Sequence, residues 1–257
     1  GNVSPVRIEI LAPTTIAVKA ADATVAFISG NNAELIDLDI YARYFFIDSP
    51  FPAESILDQD RERRFFDIAR AMHRNGHGGI LLVLASSTSA PGSTELSSLE
   101  THYLLTTPFH GLREIDAEET EIFSAMQATK SGSEARGLFS RLRAAELLHL
   151  QYISSLACTT AVDGATVVSS DGSLLAFGCK VTLSNAPSIR IRRPTTARAT
   201  TVELTDFGGT RHQSAARYVG KYPGSRAIVL SQDGKVSILN HAGPDQVDCL
   251  EHAEWIF

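Results

Sequence analysis

"DRERRFFDIARAMHRNGHGGILLVLASS", Asp60 to Ser87, decides the fold class. Its first half spaces Phe65, Ile68, Ala69 and Met72 three and four residues apart, as one face of a helix requires. That helix is predicted from about Asp58, and Gly76 fits its C-terminus. Directly afterwards "GGILLVLASS" is a continuous apolar run of strand length, predicted to be buried. A helix feeding such a strand belongs to an α/β architecture.

Upstream, residues 5–47 divide into short β segments, "VRIEILA", "TIAVKA", "TVAFISG" and "ELIDLDIYARYFFI", separated by Pro, Asn and Gly. "DSPFPAES" (48–55) has the prolines of a connector. Downstream, "SSTSAPGSTELSS" (86–98) is predicted as a polar loop with no core of its own. Residues 116–157 are predicted to be mostly helical, with a break near "KSGSE". The strands "GATVVSS", "LLAFGCKVTLS", "AIVLS" and "KVSIL" follow, and Asp-Gly pairs at 171–172 and 233–234 mark hairpin turns. The expected organisation is a small β-rich unit (1–55) followed by an α/β domain (58–257), a mixed central sheet flanked by helices.

The 257 residues are 44% hydrophobic and 20% charged, which suits a globular chain of one large domain or a large and a small one. A net charge of -6 disfavours a nucleic-acid surface, while leaving room for a local basic site. No apolar run approaches the roughly 18 residues of a membrane helix. Neither a charged-then-apolar leader nor a paired cysteine pattern is visible. Cys158, Cys179 and Cys249 are expected to be buried or free thiols in a reducing, cytoplasmic setting.

Three stretches carry candidate chemistry. In "VDGATVV", Asp163-Gly164-Ala165 precedes a strand, and either starts a turn or places a carboxylate for a cation and a hydroxyl. In "GGTRHQSAARYV" (208–219), two glycines open a helix whose first residues are Thr210, Arg211, His212, Gln213 and Ser214. Helix-start amides, hydroxyls and a guanidinium suit phosphate; a helix capped by Thr210 with a surface arginine explains the same residues. In "AIVLSQDGKVSIL", Ser231 and Asp233 form a hairpin turn, or a phosphate contact and a metal ligand if that strand end faces the anion.

Other features point away from chemistry. His73 and His77 are split by Gly76 and would not share a helix face for zinc. His102, His110 and His149 have no partner at ligand spacing. No phosphate-binding G-x-x-x-x-G-K-[ST], no G-x-G-x-x-G and no G-x-S-x-G occurs. "RIRRPTTARAT" (190–200) has the make-up of a basic, solvated loop and can also rim a phosphate pocket.

The order of motifs resembles the DAC domain of diadenylate cyclases. A DGA motif (Asp163-Gly164-Ala165) comes first, then a strand pair with Gly178-Cys179 and Leu183-Ser184. Next stands Gly209-Thr210-Arg211-His212 in place of the family's RHR motif, then a strand ending in Ser231-x-Asp233. "HGGILLVL" is similar to the family's earlier apolar strand. The resemblance covers roughly residues 60–240.

It implies a DAC-like fold and a nucleotidyltransferase that condenses two ATP into cyclic di-AMP and two pyrophosphates with Mg²⁺ or Mn²⁺. The two nucleotides meet across a face-to-face dimer or higher oligomer, with no nucleic acid or membrane involved. On that resemblance Asp163 binds metal and positions the attacking hydroxyl, while Arg211 and His212 complete the catalytic set. Gly164, Ala165, Leu183, Thr210, Gln213, Ser214 and Ser231 line the nucleotide, and Asp233 is the second metal ligand. Residues 1–55 then correspond to a sensor-like unit.

Two departures stand out. Gln213 replaces the second arginine of the RHR motif, and Leu84-Ala85 replaces a glutamate that often closes the early strand. Gln213 motivates an alternative, a catalytically silent module that binds ATP or a cyclic dinucleotide as a sensor.

Overall fold

The computed structural model describes residues 6–12, 15–20, 23–29, 32–35, 56–85, 94–109, 111–129, 131–183, 188–193 and 200–256. Most of the expected β segment 34–47 (from 36 on), the connector at 48–55 and most of the polar loop (86–93) lie outside them.

Four short strands, β1 (Val6–Ala12), β2 (Thr15–Ala20), β3 (Ala23–Ser29) and β4 (Asn32–Leu35), form an antiparallel meander with its own sheet. The helix read from Phe65, Ile68, Ala69 and Met72 is α1 (Ile56–Asn75). All four side chains are buried, and Gly76 ends the helix with φ 68°. Strand β5 (Gly79–Val83) follows, then α2 (Thr94–Ser97), β6 (Leu99–Phe109), α3 (Gly111–Ala128) and α4 (Gly132–Thr159). The last third holds β7 (Ala165–Val168), β8 (Leu174–Val181), β9 (Arg190–Arg193), β10 (Thr200–Glu203), α5 (Thr210–Lys221), β11 (Arg226–Leu230), β12 (Val236–Gly243) and β13 (Gln246–Leu250).

Strands β5 to β13 make a nine-stranded sheet in the order β10-β9-β13-β12-β11-β5-β7-β8-β6. It is mixed: β5 with β7 and β9 with β13 are parallel, the other pairs antiparallel. Central β5 is buried on both faces, which explains its unbroken apolar run. Leu81 and Val83 pack with α1, α3 and α4 on one face, and Ile80 and Leu82 pack toward α5 on the other. The expected mixed sheet flanked by helices is therefore the observed architecture.

Three readings change. Residues 99–109, left without an element, form edge strand β6, where Pro108 is tolerated because an edge needs no second ladder partner. Residues 190–193 are a strand rather than a loop, with Ile191 buried between exposed Arg190 and Arg192. At the end of the polar loop, Leu96 of α2 is buried, so that stretch does reach the core.

All three cysteines are free, Cys158 exposed and the other two buried. Among the described residues no helix is long and apolar enough to cross a membrane.

Candidate functional site

Strand register gathers the three motif stretches at one end of the large sheet. Gly79 of β5 pairs with Leu230, the last residue of β11, and Ile80 pairs with Ala165 at the start of β7. Ala165 pairs in turn with Cys179 near the end of β8, and Leu230 with Val236 at the start of β12. Asp163, Leu183 and the Ser231–Lys235 turn therefore leave the sheet on the same edge. Helix α5 delivers its N-terminus there too, because His212 Nε2 lies 3.1 Å from Ser237 Oγ in β12.

The N-cap of α5 is Gly209, which makes no side-chain cap, and the first turn contains no acidic residue. Thr210 is thus the first helical residue rather than the cap. The leading amides of a helix have no intrahelical acceptor and carry the positive end of its dipole. Arg211 is half-buried beside Gly78, where a Cβ would stand 3.1 Å from Nη1 and 3.3 Å from Gln232. The missing side chain at 78 is the space its guanidinium occupies.

Polar side chains at this edge fall into two sets. Exposed Asp163, half-buried Arg211, and the hydroxyls of Thr210 and Ser214 make no hydrogen bond or ion pair among the described residues. The others are engaged within the fold. Ser231 donates to the Asp233 carboxylate and accepts from the Lys235 amide at 3.0 Å. Lys235 Nζ stands 2.8 Å from Asp233 Oδ2. The Lys235 ammonium and the Ser231 hydroxyl hold the Asp233 carboxyl down at about 2. Gln213 Nε2 donates to the Thr205 carbonyl at 3.5 Å. His212 has Ser237 on Nε2 and the buried Phe207 ring edge-on at 5.5 Å. Burial lowers its pKa, offset in part by the charges of Glu251 and Asp233.

The small residues of the first motif serve packing. Gly164 has φ 107°, and a Cβ there would lie 2.7 Å from the Gly178 carbonyl carbon. Only glycine meets both conditions. Ala165 is buried in the core between β5 and β8. Leu183 is half-buried just beyond β8, where the Thr182 amide bonds to the Ser98 carbonyl at 3.0 Å.

Two arginines of the basic stretch 190–200 are committed elsewhere than at position 213. Arg192 pairs with Asp248 and Arg193 with Glu251, so both charges are matched; residues 194–199 lie outside the described set. Arg217 stands six residues along α5 from Arg211, about 9 Å of helix rise away.

Among the described residues no group of three or more His, Cys, Asp and Glu comes together to hold a metal ion. Of the two motif carboxylates, Asp163 makes no ion pair or hydrogen bond among the described residues, and Asp233 is committed to Lys235. Sequence reading missed Gly78, Ser237 and Phe207, which position Arg211 and His212. Neither the family models nor the curated proteins contain a match to this chain.

Proposed function

We propose that the protein binds ATP at this sheet edge and, in a self-associated form, acts as a diadenylate cyclase. The observation that supports the reading most is that Asp163, Thr210, Arg211 and Ser214, unpartnered among the described residues, lie at the same end of the sheet as the uncapped N-terminus of α5. A half-buried guanidinium with no carboxylate partner among the described residues is available to fork onto an anion.

In this reading the first amides of α5, the Arg211 fork and the hydroxyls of Thr210 and Ser214 bind the triphosphate. Each ribose 3′-oxygen attacks the α-phosphorus of the other nucleotide. A new P–O bond forms, the α–β anhydride bond breaks, and pyrophosphate leaves with the bonding pair. The hydroxyl proton passes to a carboxylate or to solvent, and Asp163 is the available carboxylate. The chain's work is positioning and charge neutralisation. Asp163 is also the residue that fits Mg²⁺ or Mn²⁺, which when bound neutralises phosphate charge. Asp233 would first have to release Lys235. One copy of the edge holds one nucleotide, so joining two requires a second copy facing it.

The test is to incubate purified protein with ATP and Mg²⁺ or Mn²⁺, identify products by mass and measure ATP binding by calorimetry. Cyclic di-AMP with two equivalents of pyrophosphate is the expected result. A specific observation favours the second reading, a silent sensor: Gln213 is turned to Thr205, and Lys235 neutralises Asp233. Binding of ATP, or of cyclic di-AMP titrated in the same calorimeter, without product selects that reading, and absence of binding of either nucleotide overturns both.

A further inference from the structure

His212 does not face outward with Arg211. Its Nε2 is 3.1 Å from the hydroxyl of Ser237, a β12 residue that is itself only 4% exposed. A hydroxyl both donates and accepts, so Ser237 can complete Nε2 in either tautomer, and what the contact fixes is the direction in which the ring points. The rest of the ring is confined as closely. Phe207 stands edge-on to it, and Gly208, with φ 53°, lies against it. A Cβ at 208 would come within 2.8 Å of the ring's Cγ and 3.1 Å of Nδ1. The ring is thus wedged between the sheet and the glycine turn that starts α5.

We propose that Ser237 is a positioning residue for this site: its hydroxyl fixes the orientation of His212, and the ring in turn sets the Gly208–Gly209 turn that aims Arg211 and the first amides of α5. The proposal rests on reading this edge as an anion site, and it assigns His212 to the architecture of that site. The charged groups near the ring are Glu251, paired with Arg193, and Asp233, paired with Lys235. Both are matched, and the Ser237 hydroxyl is the neutral contact that orients the imidazole.

Heteronuclear NMR on the full chain separates the proposal from the nucleotide reading. Ser237→Ala and Ser237→Thr are compared with the parent, with folding checked by circular dichroism. In the parent the His212 Nε2 signal should carry the shift of a hydrogen-bonded ring nitrogen. In Ser237→Ala that signal should move as the contact is lost, and the Gly208, Gly209 and Thr210 amides should move with it; Ser237→Thr should restore both. ATP titrated into the same samples should bind about tenfold more weakly to Ser237→Ala and within about twofold of the parent for Ser237→Thr. Should Ser237→Thr not fold, Ser237→Cys provides the second variant: its thiol is a weaker hydrogen-bonding group at the same position and should restore part of both signals. Unchanged ring and amide signals in a folded Ser237→Ala protein overturn the proposal. Altered ring and amide signals with no binding of ATP or cyclic di-AMP by the parent uphold the brace and overturn the nucleotide reading.

Discussion

Gly164 and Gly178 meet backbone to backbone where β7 and β8 begin to pair, so closely that a Cβ on Gly164 would lie 2.7 Å from the Gly178 carbonyl carbon. The DGA glycine is therefore required by the fold before any nucleotide arrives. Gly164→Ala has to relieve a backbone clash and a φ of 107° at once. The expected loss is about 3 kcal/mol of folding stability, from strain and displacement of β8. A urea titration of the ligand-free protein checks this, and an unchanged midpoint would show that the contact is not rigid.

Arg211 presents the opposite case. With no carboxylate partner among the described residues, its charge contributes little to folding. Arg211→Ala should leave the unfolding midpoint within about 0.5 kcal/mol of the parent. It should weaken ATP binding by 10- to 100-fold, on the order of 1.4–2.8 kcal/mol. Arg211→Lys should recover only part, because an ammonium cannot fork onto two phosphate oxygens. Arg192→Ala is the control: its charge is spent on Asp248, and ATP affinity should hold.

These contrasts show why the sequence was legible in some places and opaque in others. The α1–β5 unit could be read because its burial is periodic and local: Phe65 to Met72 repeat as a helix face, and Ile80 to Leu84 are apolar without interruption. Strand β9 could not, since Ile191 is a single apolar residue among arginines and its partner β13 lies far along the chain. At the candidate site, spacing located Asp163 and Arg211, which stand free. It could not separate them from Asp233, whose carboxylate is occupied by Lys235, a contact that depends on the turn's geometry. Ser237 and Gly78 carry no motif at all, and their importance comes from what the register places beside them.

The half-buried imidazole of His212 gives stability a defined pH dependence. Its pKa is lowered below 6.5 in the folded state by desolvation, so the unfolded chain takes up its proton first as pH falls. Stability from this residue is complete above about pH 6.5 and is lost as pH drops through the folded value. Asp233, with its carboxyl at about 2, contributes its loss only below about pH 3.8, outside that window. Unfolding free energies at pH 7.5 and 5.5 should therefore differ more in the parent than in His212→Gln. An equal difference in both proteins would show that the ring is not held neutral.

Gln213→Arg tests the departure that divides the two functional readings. The glutamine amide reaches the Thr205 carbonyl only at 3.5 Å, so replacing it gives up a weak contact at a half-buried position. An arginine there adds a second guanidinium to the first turn of α5, two residues from Arg211. ATP affinity should rise about tenfold, corresponding to roughly 1.4 kcal/mol for one added charged contact. The product assay then discriminates. If the parent is an active cyclase, the variant should make cyclic di-AMP faster at low ATP, with the gain lost at saturation. If the parent is a sensor silenced by this one substitution, product should appear only in the variant. Tighter ATP binding with no product in either protein would place the block elsewhere, and the Asp233–Lys235 pair is then the next contact to break, by Lys235→Ala.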